Sequence, residues 1–219
     1  TRVGVLNLNV DEGVLFSAVI DQTAGLAYFG ISGSEPGKVV KVNLVTFTRV
    51  GAVTLNAGEN APSTAVIDPT AGFAYFGTWT FPTSTVVKIR LSDLTRVGAL
   101  TLNTGEGGVG AAAINTSSGF AYFAAYYGGI AKVRLSDFTR VGTINLTSGG
   151  PWGLNAVIDP AGGFAYFASD SWPGLVAKVD LSTDVHVGNL SFITNEGFPD
   201  AAVIDTTGGF AYFGSYTGA

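Results

Sequence analysis

The chain has 219 residues, a formal net charge of −5, a pI near 4.7 and no cysteine. The acidic balance argues against nucleic acid and anionic membrane surfaces, which bind basic patches. The absence of cysteine excludes disulfides and thiolate metal sites. No apolar run approaches the ~20 residues of a membrane helix, so no membrane insertion is expected. Because the chain begins with Thr and contains no Met, we expect a processed chain or an excerpt of a longer one.

A segment of about 47 residues occurs five times, and the copies keep their internal spacing. Thr-Arg-Val-Gly begins at residues 1, 48, 95 and 139, and Val-His-Val-Gly takes this place at residue 185. Ala-Val-Ile-Asp begins at residues 18, 65, 156 and 202, with Ala-Ala-Ile-Asn at residue 112. Only the stretch after Phe-Ala-Tyr-Phe (Leu-Ala-Tyr-Phe in the first copy) varies in length. This pattern predicts one domain over residues 1–219, built from stacked units that share a core.

The second repeat shows the predicted elements most clearly. Short runs rich in branched and aromatic residues are separated by turn signals, and none has helical period. They predict four antiparallel strands over residues 63–68, 73–77, 86–91 and 96–102. Four strands in each unit of forty-odd residues are typical of an all-β fold, the β-propeller, here with five four-stranded-type blades.

Residues 65–77, Ala-Val-Ile-Asp-Pro-Thr-Ala-Gly-Phe-Ala-Tyr-Phe-Gly, resemble the strand–turn–strand core of the YVTN-type propeller repeat. That repeat recurs in surface-layer and other extracytoplasmic propellers. The resemblance covers all five copies, although this chain has Tyr-Phe-Gly or Tyr-Phe-Ala in place of Val-Thr-Asn and a slightly longer repeat. It implies a propeller fold and an extracellular or cell-surface location.

The two ends of the chain supply pieces of one blade. Residues 2–8 match a fourth strand, and residues 210–214 match a second strand. We therefore expect the N-terminal strand to close the fifth blade, which then holds three strands. Two alternatives are a natural chain that continues past Ala219 and a strand donated by a neighbouring molecule, which would allow self-association.

Candidate binding residues lie in loops that this topology places on one face. The loops after the second strand and those between blades carry exposed-looking aromatic and acidic residues. Aromatic rings beside carboxylates hold sugars and other polar ligands. The alternative is that each tryptophan plugs the gap between two blades. The candidates are Trp79, Phe81, Tyr126, Tyr127, Trp152, Trp172, Tyr216, Glu12, Glu59, Glu106 and Glu196.

The other polar residues predict no catalytic residue, metal or cofactor. His186 is the only histidine and stands where other copies have arginine, which indicates repeat drift. Four aspartates before turns are expected to bind their own backbone: Asp21, Asp68, Asp159 and Asp205. Four lysines on outer strands are expected to provide solubility and to protect sheet edges: Lys41, Lys88, Lys132 and Lys178.

These observations favour a non-enzymatic, extracellular or cell-surface propeller that serves as a binding scaffold for a glycan or a protein. A structural subunit of a surface layer or filament is the first alternative. An enzyme with a single site at the mouth of the channel is the second, and its asymmetric residues would be Trp152, His186, Asp170 and Glu35.

Overall fold

The computed structural model describes residues 4–127, 129–146 and 152–216, except for the side chains of Trp152 and Leu154. These residues form eighteen β-strands and no helix. Within this part of the chain, therefore, no helix is long and apolar enough to cross a membrane. The predicted all-β class is confirmed.

The strands alternate with short turns and follow the repeats. Their bounds are β1 (Leu15–Asp21), β2 (Leu26–Ile31), β3 (Lys38–Asn43), β4 (Thr48–Thr54), β5 (Pro62–Asp68), β6 (Phe73–Thr78), β7 (Thr85–Arg90), β8 (Thr95–Thr101), β9 (Val109–Asn115), β10 (Phe120–Ala125), β11 (Gly129–Arg134), β12 (Thr139–Ile144), β13 (Trp152–Asp159), β14 (Phe164–Ser169), β15 (Leu175–Asp180), β16 (Val185–Ser191), β17 (Gly197–Asp205) and β18 (Phe210–Tyr216). The four strands predicted in the second repeat match β5 to β8 within one residue at each end.

The strands form five antiparallel sheets, and each sheet corresponds to one repeat. Four sheets have four strands in sequence order, β1 to β4, β5 to β8, β9 to β12 and β13 to β16. The fifth, β17 and β18, has two strands among the described residues. The predicted number of blades therefore agrees with the number of sheets.

The chain divides into two compact units, Thr1–Thr80 with Thr85–Ala99 and Phe81–Ser84 with Leu100–Ala219. The first unit holds the first two sheets except the end of β8, and the second holds the other three. The prediction that residues 1–219 form a single domain stays a prediction.

Each unit has a core made by the second and third strands of successive sheets. In the first unit Tyr28, Val39, Phe76 and Ile89 are fully buried in one cluster. In the second unit Tyr122 and Phe167 are central to the corresponding cluster. In the second sheet, for example, β6 is buried on both faces, whereas β8 alternates between exposed and half-buried residues. This is expected where sheets stack face to face and the outermost strand borders solvent.

The N-terminal strand predicted over residues 2–8 is absent from its described part. Residues 4–10 belong to no strand, and Leu6 and Leu8 instead pack on Ile31, Val40 and Val42 of the first sheet. A strand forms by pairing along a sheet edge, and this segment buries its leucines without such pairing. The expectation of a third strand in the fifth sheet is not met among the described residues, and closure of that blade stays a prediction.

Candidate functional site

Three of the predicted aromatic residues meet in the second unit, and we call Phe81, Tyr126 and Tyr127 the aromatic loop cluster. The ring centroids of Phe81 and Tyr126 lie 6.3 Å apart, and those of Tyr126 and Tyr127 lie 4.6 Å apart, both edge to face. Phe81 is 54% exposed and Tyr127 is 76% exposed. The cluster therefore presents apolar ring surface to solvent, in the geometry that aromatic pairs prefer.

Glycines in the loop between β8 and β9 make room for the ring of Phe81. A Cβ on Gly107 would lie 2.9 Å from the Phe81 ring, and Gly108 has a φ of +66° with the same ring against it. Any larger residue at these positions would displace the ring. The placement of Phe81 is thus fixed by the backbone of the neighbouring loop.

Asp170 completes the cluster from the loop between β14 and β15. The hydroxyl of Tyr126 donates a hydrogen bond of 3.1 Å to Asp170 Oδ2. Burial and this bond to a carboxylate raise the pKa of Tyr126, because the protonated hydroxyl is the form that donates the bond. Sequence reasoning named Asp170 only for the enzyme alternative. Its position in the same variable-length segment as Trp172 was the available signal.

The remaining aromatic candidates are not part of the aromatic loop cluster as defined above. Trp172 is 43% exposed, and its ring lies over Gly197 and 5.9 Å from that of Phe198. Trp79 is half-buried in the first unit, where its backbone N–H bonds the carbonyl of Ala61. Tyr216 is exposed at the end of β18. The side chain of Trp152 lies outside the described part of the chain.

Three of the four acidic candidates are buried and already paired, so their prediction as ligand-binding residues is wrong. Each carboxylate accepts two hydrogen bonds from one arginine and a third from the backbone N–H three residues earlier. A carboxylate buried in this way needs such partners to remain ionised. The pairs are Glu12 with Arg49, Glu59 with Arg96, and Glu106 with Arg140.

For two of the pairs, the hydrogen bonds favour the charged form of the carboxylate. The hydrogen bond from Arg49 lowers the pKa of Glu12. Burial acts to raise the pKa of Glu106, but hydrogen bonds from Arg140, Thr143 and the backbone of Asn103 outweigh it and lower the pKa. Each pair ties the loop that enters a sheet to the outermost strand of that sheet. Their role is therefore structural.

Glu196 differs from the other three. It forms the same backbone turn, with its N–H bonded to the carbonyl of Ile193. It is half-buried, and among the described residues its carboxylate has no arginine partner. Glu196 is thus the acidic candidate that stays available as a ligand-binding residue.

A comparison of the repeats, rather than composition or motifs, indicates these glutamate–arginine pairs. In the fourth repeat Gly150 stands in the glutamate position and His186 stands in the arginine position, so the two positions change together. His186 Nε2 lies 3.0 Å from the carbonyl of Gly188 and 2.7 Å from Asn189 Oδ1.

The four lysines predicted to lie on outer strands and to protect sheet edges lie on interior third strands and are buried or half-buried, so that prediction is wrong. Each is opposite a tyrosine of the second strand, with its ammonium over aromatic rings. Lys41 is buried and donates to the carbonyl of Leu91 at 2.8 Å. Lys132 donates to both carboxylate oxygens of Asp184 at 2.7 Å. The third strand is interior to each four-stranded sheet, which explains why its lysine is covered.

The aspartates before turns behave as predicted. Each Oδ1 accepts a hydrogen bond of 2.9 Å from the backbone N–H three residues later, in the pattern of an Asx turn. The donors for Asp21, Asp68, Asp159 and Asp205 are Ala24, Ala71, Gly162 and Gly208. Within the described ranges, no group of three or more His, Asp or Glu side chains is placed to hold a metal ion.

No protein-family model matches this sequence. No curated protein is similar to it at a significant level.

Solved structures are similar to the chain in fold. Hydrazine synthase of Kuenenia stuttgartiensis matches with 16% identity and a TM-score of 0.74, over 93% of this chain and 55% of that one. The WD40 repeats of RRP9 match with 8% identity and a TM-score of 0.66, over 84% and 52%. A chain of a nidogen/laminin complex matches with 13% identity and a TM-score of 0.62, over 84% and 65%.

The chain thus spans about half to two thirds of the length of these proteins. At such low identity the similarity shows a propeller-type fold and carries no function with it.

Proposed function

We propose that the chain is a non-enzymatic interaction scaffold that binds a protein partner through the aromatic loop cluster. The observation that carries this proposal is the convergence of three rings and the Asp170 carboxylate from three variable-length loops of one unit. Loops on a rigid sheet scaffold are common binding positions. Two of the similar solved structures are described by WD40 repeats and by a complex of two proteins, which agrees with this class of function.

The chemistry of the cluster favours a basic or aromatic protein surface. Exposed tyrosine and phenylalanine rings are frequent anchors of protein interfaces. The carboxylate of Asp170 and the net charge of −5 favour a cationic partner through electrostatic complementarity. A carbohydrate is the alternative ligand, held by stacking on the same rings.

A pair of arrays tests this proposal with Tyr127→Ala as the key variant. The protein is applied to arrays of basic and aromatic peptides and to a glycan array. Truncating an exposed anchor should weaken the signal by about 10–100-fold with no change in thermal stability. Val45→Ala, an exposed residue of the first unit, is the control. Retention of full binding by Tyr127→Ala on both arrays would contradict the proposal, and loss on the glycan array alone would identify the carbohydrate alternative.

Trp172 needs both binding and stability measurements because its ring is partly covered. We expect Trp172→Ala to weaken binding by about 1–3 kcal/mol and to change stability less than a core truncation. A stability loss near ~3–5 kcal/mol would identify Trp172 as a plug between blades.

The extracellular or cell-surface location and the relation to YVTN-type propellers are proposals that rest on the resemblance of residues 65–77. A structural subunit of a surface layer remains the alternative, and concentration-dependent assembly would support it.

Closure of the fifth blade by the N-terminal strand is tested by deleting residues 1–9. An unchanged melting temperature in the shortened protein would rule that closure out.

A further inference from the structure

The loop that enters the third sheet lies against two rings of the aromatic loop cluster. Residues 106–108, between β8 and β9, are buried, and we call them the platform loop. A Cβ on Gly108 would collide with the ring of Phe81 and would lie 3.0 Å from the Cβ of Tyr126. The two rings can therefore hold their places only while the backbone of the platform loop keeps its own.

Hydrogen bonds tie the platform loop to the segment that carries Phe81. The N–H of Ser84 donates to the carbonyl of Glu106 at 3.1 Å. The N–H of Val109, which follows the loop, donates to Ser84 Oγ, also at 3.1 Å. Ser84 is fully buried, so water does not compete for these bonds. The position of Phe81 thus follows the position of the platform loop.

The backbone of Tyr126 is bonded to the same loop. Its N–H lies 3.1 Å from the carbonyl oxygens of both Gly107 and Gly108, in a bifurcated hydrogen bond. Tyr126 is the central ring of the cluster, because it contacts both Phe81 and Tyr127. A shift of the platform loop would therefore move the centre of the cluster.

The platform loop is anchored by the pair of Glu106 and Arg140. Arg140 in β12 donates two hydrogen bonds to the carboxylate, at 2.6 and 2.8 Å. The backbone N–H of Asn103 adds a third bond at 2.8 Å, and Thr143 Oγ1 adds a fourth at 2.7 Å. The side chain of Glu106 is 5% exposed, and a carboxylate so deeply buried is costly to leave without these partners.

The bond from Thr143 distinguishes this pair from the equivalent pairs of the first two sheets. Thr143 stands where those sheets have Ala52 and Ala99, which carry no hydroxyl. The additional bond therefore occurs in the repeat whose entry loop lies against the rings.

We propose that Glu106 is a positioning residue of the aromatic loop cluster, and that the Glu106–Arg140 pair controls the affinity of the cluster for its partner through the platform loop. The carboxylate itself touches no ligand. It holds Phe81 and Tyr126 in one arrangement before binding, so the partner does not have to order them. This inference rests on the proposed function of the cluster and deepens it.

The second sheet supplies a matched control. Glu59 and Arg96 form the same kind of pair, and the loop after Glu59 accepts a 2.8 Å hydrogen bond from the N–H of Trp79 at the carbonyl of Ala61. These four residues belong to the first unit, whereas the aromatic loop cluster belongs to the second. Glu59→Gln should therefore cost about as much stability as Glu106→Gln and leave the cluster in place.

Hydrogen exchange followed by NMR tests the positioning without a ligand. In Glu106→Gln the amide of Tyr126 should exchange about tenfold faster relative to the amide of Trp79. In Glu59→Gln the amide of Trp79 should be the faster one. Thr143→Ala introduces the residue of the first two sheets and should therefore fold normally. It should speed exchange at Tyr126 about threefold, since it removes one bond to the carboxylate.

Binding is measured with a labelled hexapeptide of alternating arginine and tryptophan, a basic and aromatic probe of the proposed partner class. Glu106→Gln should weaken this peptide about tenfold, and Glu59→Gln should weaken it less than about twofold. Tyr127→Ala removes an exposed ring directly and gives the reference for loss of the site.

Each outcome separates the positioning role from the proposed function. Equal exchange at Tyr126 in Glu106→Gln and Glu59→Gln would overturn the positioning role. Full peptide binding by Glu106→Gln, together with loss in Tyr127→Ala, would also overturn it and leave the proposed function intact. Faster exchange at Tyr126 in Glu106→Gln alone, with no peptide binding by the unaltered protein, would support the positioning of the rings and contradict the proposed partner.

Discussion

Strands β6 and β18 begin with the same five residues, Phe-Ala-Tyr-Phe-Gly, and place them in opposite surroundings. Tyr75 in β6 is 1% exposed, and Tyr212 in β18 is 57% exposed. β6 has β7 along its outer edge, and β18 has no such strand among the described residues. The burial of a repeated residue is therefore decided by its neighbours and not by its own sequence.

The largest expected difference between these regions is in stability. Tyr75→Ala should lower the free energy of unfolding by about 3–5 kcal/mol, since it empties a packed core position. Tyr212→Ala should change it by about 0.5 kcal/mol or less, as expected at an exposed site. Chemical denaturation of both variants gives the comparison. Equal losses would mean that Tyr212 is covered in solution.

A second comparison is between the buried Glu59 and Glu196, which occupies the same position in another repeat. Glu59→Ala leaves Arg96 half-buried without its partner and should cost about 2–3 kcal/mol. Glu196→Ala removes a carboxylate that has no arginine partner among the described residues and should cost about 0.5 kcal/mol or less. Thermal melts of the two variants decide this. A similar shift in both would show that the arginine contributes little.

The glycine that follows the motif tests packing at the same two kinds of position. A Cβ on Gly30 would meet Ser17 Oγ and lie 2.5 Å from the carbonyl of Pro62, whereas one on Gly214 would lie 3.6 Å from Ala201. Gly30→Ala should therefore destabilise by about 1–3 kcal/mol through overpacking. Gly214→Ala is the matched control and should be neutral in denaturant titrations. A neutral Gly30→Ala would mean that the first two sheets can separate slightly at little cost.

The hydroxyls of the buried tyrosines should lose their protons only at strongly alkaline pH. Burial raises the pKa of Tyr28, Tyr75 and Tyr122 to about 12. A raised folded pKa means that their stabilisation is complete below the ordinary value of about 10 and is lost as pH rises towards 12. Tyrosinate absorbance should show a late step that coincides with unfolding, and Tyr122→Phe should reduce it. A single early step would contradict the burial of these rings.

The sequence alone predicted those parts of the structure that depend on interactions between residues close together in the chain. The strands of the second repeat followed from the apolar runs and the turn residues between them, because pairing with the next strand is only a few residues away. The bonds from Asp21, Asp68, Asp159 and Asp205 to their own turns followed for the same reason. The loops that carry Phe81, Tyr126 and Tyr127 also followed from their variable length, whereas the role of these residues in binding stays a prediction.

Only the tertiary structure decided which polar residues meet. Glu59 and Arg96 are 37 residues apart, and their contact depends on the outermost strand of a sheet reaching the loop that enters it. Lys41 and Leu91 meet across 50 residues because one sheet stacks on the next. The same stacking buries Tyr28 against the second sheet, whereas Tyr212 is exposed. Sequence period determines which residues share a face of a strand, whereas the neighbouring sheet determines whether that face is covered.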